Sequence, residues 1–152
     1  MKVLFALVMC LGAFTYSAQA QQGEFKFGAG AHFFFDGASF GVQGKGNYGI
    51  NDEWAGQASF SYFFEDFTFW TLDLDAHYGG LELGDVEGFA LKPFAGLQIA
   101  NVSVAGFGNT EIGINLGLNA TLPLDGGLSV YIEPKLVISG ASGLALAGGV
   151  YF

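Results

Sequence analysis

The 152-residue sequence has few of the residues that carry disulfide, thiol or nucleic-acid chemistry: it contains one cysteine, Cys10, and no arginine. Cys10 lies in an N-terminal apolar stretch, so neither a disulfide nor thiol chemistry is expected in the rest of the chain. Fourteen acidic residues outweigh five lysines, and the net charge is −9. Because phosphate binding needs clustered Lys or Arg, we expect no nucleic acid among the partners.

The first 20 residues have the three-part pattern of a secretory signal peptide. Lys2 supplies the positive region, an apolar stretch runs from Val3 to Phe14, and Ala18-Gln19-Ala20 precedes a cleavage site at Gln21. The apolar stretch is too short for a membrane-spanning helix, which needs about 20 residues. We therefore predict a cleavable signal peptide at 1–20 and one domain at 21–152, where 14 acids against four lysines give a net charge of −10.

Long hydrophobic runs are also absent from residues 21–152, although 51% of the whole sequence is hydrophobic. Apolar residues instead alternate with polar or small ones, which predicts strands with one apolar and one polar face. The alternating runs are 25–35, 40–50, 54–65, 70–79, 95–99, 112–122, 128–133 and 144–152, separated by turn residues such as Asp36-Gly37 and Asp125-Gly126. The sequence thus predicts an all-β chain of eight antiparallel strands in up-and-down order.

The apolar faces of eight strands can point into a soluble, lipocalin-like binding barrel or out of a membrane barrel. An eight-stranded interior is just wide enough for side chains to fill, so a dozen aromatics will not fit inside. The aromatics of the apolar set are Phe25, Phe27, Phe33, Phe35, Phe40, Tyr48, Trp54, Phe60, Tyr62, Phe64, Trp70 and Tyr78. We therefore predict an eight-stranded antiparallel up-and-down transmembrane β-barrel, with the soluble secreted barrel as an alternative.

The order of aromatics along the strands agrees with a membrane barrel. They gather near the ends of the runs, while Leu72, Leu74 and Leu116 occupy the middles, as in the two aromatic girdles of membrane barrels. With these features the sequence resembles the small eight-stranded outer-membrane β-barrel family (OmpA/OmpX-like). The resemblance also rests on segments 48–54, 92–97 and 113–120 and on the terminal Phe152.

The resemblance implies a location in the outer membrane of a Gram-negative bacterium, in contact with outer-membrane lipid and as a monomer. It also implies that the barrel assembly machinery reads the last strand, a role carried over to Tyr151 and Phe152 only. With both termini in the periplasm, the outer loops are predicted at 36–39, 65–68, 102–111 and 140–143. Three of these loops are very short, unlike those common in the family, which argues against adhesion or receptor roles.

Successive side chains along a strand point to opposite faces of the sheet. This alternation places a set of chargeable side chains in the barrel interior, the lumen. This predicted lumen charge network consists of Lys26, Lys45, Glu65, Asp73, Asp75, His77, Glu133 and Lys135. Three lysines nearly balance four carboxylates, as buried charges must if they are paired. We predict that these side chains plug the lumen, although the many inward glycines argue the other way because they leave space for water.

Two patterns resemble catalytic or metal chemistry but have simpler interpretations. Residues 37–41 match G-x-S-x-G, which needs a strand–turn–helix elbow and here lies between two strands. Asp73, Asp75 and His77 share one face, which suits a metal, but we favour the interpretation that they form a row of polar lumen side chains. We expect no catalytic residue, cofactor or metal site. The predicted function is that of a non-enzymatic envelope protein with a plugged polar lumen, the alternatives being a narrow pore or a transporter of small apolar ligands.

Overall fold

The computed structural model describes residues 23–81, 85–86, 88–138 and 143–152. The predicted signal peptide and its cleavage site lie outside the described residues. The strands are β1 (Phe25–Phe34), β2 (Ser39–Gly49), β3 (Trp54–Phe64), β4 (Thr68–Tyr78), β5 (Asp85–Val86), β6 (Phe89–Val104), β7 (Phe107–Pro123), β8 (Ser129–Ile138) and β9 (Gly143–Tyr151). A 3-10 turn at Asp125–Gly127 precedes β8. Within the described ranges, no helix has the length and apolar character needed to cross a membrane.

Antiparallel pairing closes the sheet into a barrel. The eight long strands form a ring in the order β1-β2-β3-β4-β6-β7-β8-β9, and β9 pairs back onto β1. The short β5 pairs only with the first residues of β6. The predicted eight-stranded up-and-down barrel is confirmed, and closure gives each of the eight long strands a paired neighbour on both sides.

The two faces of the barrel wall have opposite chemistry. Among the described residues, 17 buried side chains are polar or charged and seven are apolar. Large apolar side chains lie on the outward face instead, with Phe40 50%, Leu97 52% and Ile114 50% exposed. The prediction that the apolar set faces outward is confirmed, and the lumen is polar.

Outward aromatics gather near the two ends of the barrel. We call the end that holds Gly23 and Phe152 the terminal end and the opposite end the far end. Exposed aromatics near the terminal end include Phe25, Tyr48 and Trp54, those near the far end include Phe40, Tyr62 and Phe64, and Leu74, Leu97 and Leu116 lie between them. The predicted arrangement of two aromatic girdles around an aliphatic middle is therefore present.

Residues 102–111 do not form the loop predicted from the sequence. The strands β6 and β7 are joined by Ala105 and Gly106 alone, and their pairing continues to Val104↔Phe107. Both turn residues have positive φ, 51° and 87°, as in the two-residue turns that join antiparallel strands. The hairpin projects past β8, whose described pairing with β7 ends at Ile114↔Ile138. The connections at 35–38, 65–67 and 105–106 are thus all short.

Inward glycines lie opposite large inward side chains. Gly28 pairs with Tyr151 across the β1–β9 ladder, and Gly117 pairs with Phe94 across the β6–β7 ladder. A Cβ on Gly28 would lie 2.9 Å from the Tyr151 ring, and a Cβ on Gly117 would overlap the Phe94 ring. At these positions glycine makes room for an aromatic side chain.

Candidate functional site

Glu133 of β8 is the centre of one cluster of buried polar side chains. Its carboxylate accepts hydrogen bonds from Lys45 Nζ at 2.5 Å, Gln57 Nε2 at 3.2 Å and Asn119 Nδ2 at 2.6 Å. The Tyr151 hydroxyl donates to Gln57 Oε1 at 2.6 Å and lies 3.5 Å from Glu133 Oε1. Five strands thus meet at one carboxylate, which is held by charge-assisted hydrogen bonds.

Asp73 of β4 is the centre of a second cluster, nearer the far end. Its Oδ1 lies 3.0 Å from Lys135 Nζ and accepts from Gln98 Nε2 at 2.9 Å and Asn115 Nδ2 at 2.8 Å. The same Asn115 amide also lies 3.0 Å from Asp75 Oδ1. The amide therefore links two carboxylates that stand two residues apart on one strand.

Each ion pair crosses the lumen. Strands β2 and β8, which carry Lys45 and Glu133, are three positions apart in the ring, as are β4 and β8, which carry Asp73 and Lys135. The four charged side chains are at most 5% exposed. Buried charges are tolerated when they are paired and hydrogen-bonded, and here the pairing draws side chains across the axis of the barrel.

Three phenylalanine rings, those of Phe34, Phe63 and Phe69, pack together near the far end of the lumen, and we call them the aromatic plug. The Phe63 and Phe69 rings stack with centroids 4.4 Å apart, and Phe34 lies 5.4 and 6.0 Å from them. Beneath the plug, His32 contacts Phe34 and Phe63 with centroid distances of 5.1 and 5.2 Å. The plug separates the charged clusters from the far end.

A serine and a histidine also meet in the lumen. His32 Nδ1 lies 2.8 Å from Ser61 Oγ, and both residues are 0% exposed. A substrate has no access to this serine in the closed barrel. Ser39 of the G-x-S-x-G segment is the first residue of β2 and follows a strand-to-strand connection, whereas a nucleophile elbow needs a helix after the turn.

Three of the predicted network residues, Lys26, Glu65 and His77, lie outside the two clusters. Glu65 continues the parity of β3, but that strand ends at Phe64 and Glu65 lies in the following turn. Lys26 is half-buried near the terminal end of β1. Glu65 is half-buried, and its assignment to the lumen stays a prediction.

The row Asp73, Asp75 and His77 does not assemble into a metal site. The two carboxylates contact Lys135 and Asn115, while the His77 ring stacks on Phe94 with centroids 4.8 Å apart. Within the described part of the chain, no group of three or more His, Cys, Asp or Glu side chains could hold a metal ion.

The neutral partners of the buried charges are not among the residues of the predicted lumen charge network. The amides of Gln57, Gln98, Asn115 and Asn119 donate to the buried carboxylates. The alternation of residues along each strand places these amides inward. They carry no charge, and the predicted network contains only chargeable residues. Tyr151, assigned only to assembly, lies 5% exposed in the lumen with its hydroxyl hydrogen-bonded.

A cavity of about 250 Å³ opens at the terminal end of the lumen. Each of the eight barrel strands contributes to its wall, and the lining includes Lys26, His77, Lys92, Asn119 and Tyr151. Parity alone places such residues inward but does not indicate which end of the lumen stays open. In the described part of the chain, the lumen thus holds packed rings near the far end and an open cavity with polar walls at the terminal end.

Solved structures of other proteins share this architecture. The N-terminal β-barrel domain of Pseudomonas aeruginosa OprF has a TM-score of 0.70 and 16% identity, covering 87% of this chain and 97% of that chain. Ail, the attachment invasion locus protein of Yersinia pestis, has a TM-score of 0.51 and 18% identity, covering 87% and 100%. No family model and no curated protein matches the sequence. Both solved structures are small eight-stranded outer-membrane barrels, and the chain has their fold.

Proposed function

We propose that the chain is a non-enzymatic integral protein of the bacterial outer membrane, with a structural role in the cell envelope and a lumen closed to ions. The observation that carries the proposal is the inverted chemistry of the barrel: ion pairs and amides lie inside, and apolar side chains cover the outside. In lipid, only a closed barrel or a helix satisfies every backbone polar group. This chain is such a barrel.

The outward face supports a membrane location. Soluble monomers rarely expose contiguous apolar patches of more than a few hundred Å², and here apolar side chains surround the wall, including Phe60 49%, Leu116 45% and Leu144 59% exposed. Most barrel strands have nine to 11 residues, which matches the roughly 9–11 needed for a tilted strand to cross a bilayer.

The inward face supports a closed lumen over the alternatives. A narrow pore requires a continuous aqueous path, but the ion pairs cross the axis and the aromatic plug packs near the far end. A transporter or a lipocalin-like binder of apolar ligands requires an apolar interior, and the buried side chains here are mostly polar. Contacts with outer-membrane lipid and transient contact with the barrel assembly machinery complete the proposal.

Fractionation of bacteria that express the chain tests this function. We expect recovery in the outer-membrane fraction, with an N-terminus at Gln21, and a folded form that migrates differently on gels before and after boiling, as closed barrels do. Soluble protein in the periplasm would contradict the proposal and favour the lipocalin-like alternative.

A further inference from the structure

Two lysines take no part in the ion pairs that cross the lumen. Lys26 and Lys92 are half-buried and line the terminal-end cavity. The ion pairs of the described residues are Lys45–Glu133 and Lys135–Asp73. In the ring of eight strands, β1 and β6 are four positions apart and therefore directly opposite. Two ammonium groups thus stand on opposite sides of one cavity.

The wall between the lysines offers a further polar group without a partner. His77 is 2% exposed and lines the cavity, and its Nε2 has no hydrogen-bond partner among the described residues. Its ring is held in place by stacking on Phe94. Buried polar atoms are nearly always hydrogen-bonded in folded proteins, so a ligand in the cavity would supply what this nitrogen lacks.

Three carboxylates also line the cavity and set the charge that a ligand can carry. They belong to Glu24, Asp52 and Glu53, and the last two are exposed in the turn between β2 and β3. An anion with several charges is repelled by this rim. A molecule that carries an ammonium group beside its anionic group is attracted by both the lysines and the rim.

We propose that the terminal-end cavity binds a small zwitterion, whose phosphate or carboxylate group lies between Lys26 and Lys92 and whose amino group faces Asp52 and Glu53. Charge-assisted hydrogen bonds from two opposed lysines hold the anionic group. At about 250 Å³ the cavity admits a molecule the size of a phospholipid headgroup or an amino acid. This activity goes beyond the structural role, and binding by the folded barrel does not depend on where in the cell it resides.

The test is a titration of the full chain, folded in micelles of an uncharged maltoside detergent, followed by the NMR shifts of backbone amides. The probes are glycerophosphoethanolamine, which is a phosphate zwitterion, alanine, which is a carboxylate zwitterion, and inorganic phosphate, which lacks an ammonium group. We expect saturable shifts around Lys26, His77 and Lys92, none at Phe63, and weaker binding of inorganic phosphate. Tighter binding of glycerophosphoethanolamine than of alanine assigns phospholipid headgroups as the source, and the reverse order assigns free amino acids.

Variants of the cavity sharpen the test. Lys26→Gln or Lys92→Gln should each weaken binding by about tenfold, the effect of losing one charge-assisted hydrogen bond, while Lys92→Arg should retain most of it. Asn109→Asp, which changes the net charge equally at the exposed far end, is the matched control and should bind as the parent does. Absence of saturable shifts with both zwitterions, or unchanged binding in the Lys26→Gln/Lys92→Gln double variant, would overturn the proposal. Tighter binding of inorganic phosphate would overturn the part assigned to the acidic rim.

Discussion

Asp73 and Leu74 are neighbours in β4, yet Asp73 is 0% exposed and Leu74 is 48% exposed. The carboxylate is paired with Lys135 and accepts hydrogen bonds from Gln98 and Asn115. The leucine lies on the outer surface of the barrel. The two residues illustrate the two faces of the wall. The inward face is built from specific partners at fixed distances, whereas the outward face needs only an apolar side chain.

This difference predicts which substitutions the fold tolerates. Replacing an inward polar side chain by alanine leaves its hydrogen-bond donors and acceptors buried without partners, which lowers the free energy of unfolding. If the proposed membrane location holds, substitution of an outward side chain by another apolar one exchanges one apolar contact with lipid for another. The following substitutions test the contrast, from the largest expected effect on stability to the smallest.

Asp73→Ala should lower the free energy of unfolding by about 3–5 kcal/mol, because it leaves Lys135 as an uncompensated buried charge. The neighbouring Leu74→Ala is the matched control and should have a much smaller effect. Urea unfolding of the protein in lipid vesicles measures both. Lys135→Ala should be similarly costly, and the double variant should cost less than the sum of the single variants because the pair is coupled. Equal losses for Asp73→Ala and Leu74→Ala would show that the two faces do not differ as described.

Leu74→Lys places a charge on the outward face near the middle of β4 and should cost about 2–4 kcal/mol, as for a lysine at the bilayer midplane. Phe25→Lys places the same charge at the terminal end of β1, where the cost should fall to about 0–1 kcal/mol. The same unfolding measurement applies. A cost that does not depend on depth would argue against a lipid environment for this face.

Gly117→Ala should destabilise the barrel by about 1–3 kcal/mol, the usual cost of overpacking. Its Cβ would overlap the Phe94 ring and lie 2.7 Å from the Pro134 carbonyl oxygen. At Gly44 a Cβ meets nothing within 4 Å, so Gly44→Ala is the control and should be tolerated. If both variants unfold at the same urea concentration, glycine does not serve to make room for the inward ring.

Phe152→Ala should change the free energy of unfolding least and act on assembly instead. The backbone of Phe152 pairs with Phe27 in both directions, with N–O distances of 2.8 and 3.4 Å, and alanine keeps these bonds. If the assembly machinery reads the terminal aromatic, the folded yield in cells should drop well below that of Phe107→Ala, whose side chain is 85% exposed at the hairpin tip. Refolding yields in detergent should not differ. Equal yields in cells would remove the assembly role from Phe152.

The strands and the two faces could be predicted from the sequence because both follow from local alternation. The run 54–65 became β3 at Trp54–Phe64, and the parity of Lys45 and Glu133 placed both inside. The hairpin of β6 and β7 was not anticipated. Ala105-Gly106 lacks the Asn or Asp that usually precedes glycine in two-residue turns. Two glycines close together, at 106 and 108, are also a pattern that indicates a loop.

The partners within the lumen could not be predicted, because they depend on the stagger of strands around the ring. Parity places Lys45 and Lys135 inside but does not show that Lys45 meets Glu133 and Lys135 meets Asp73. The wall of the terminal-end cavity is built from residues of all eight barrel strands. The alternation along a single strand does not predict which residues come together in that wall. Sequence fixes the face of a residue here, and closure of the barrel determines its neighbours.

The central claim is that the inward side chains close the lumen, and current recording across a planar bilayer tests it most directly. Eight strands leave an interior that side chains can fill, unlike the aqueous channel of larger barrels. Here two ion pairs cross the interior and the aromatic plug packs near the far end. The protein reconstituted in the bilayer should show no stable conductance steps of the size that porins show. Stable porin-like steps would contradict the closed lumen and favour the narrow pore.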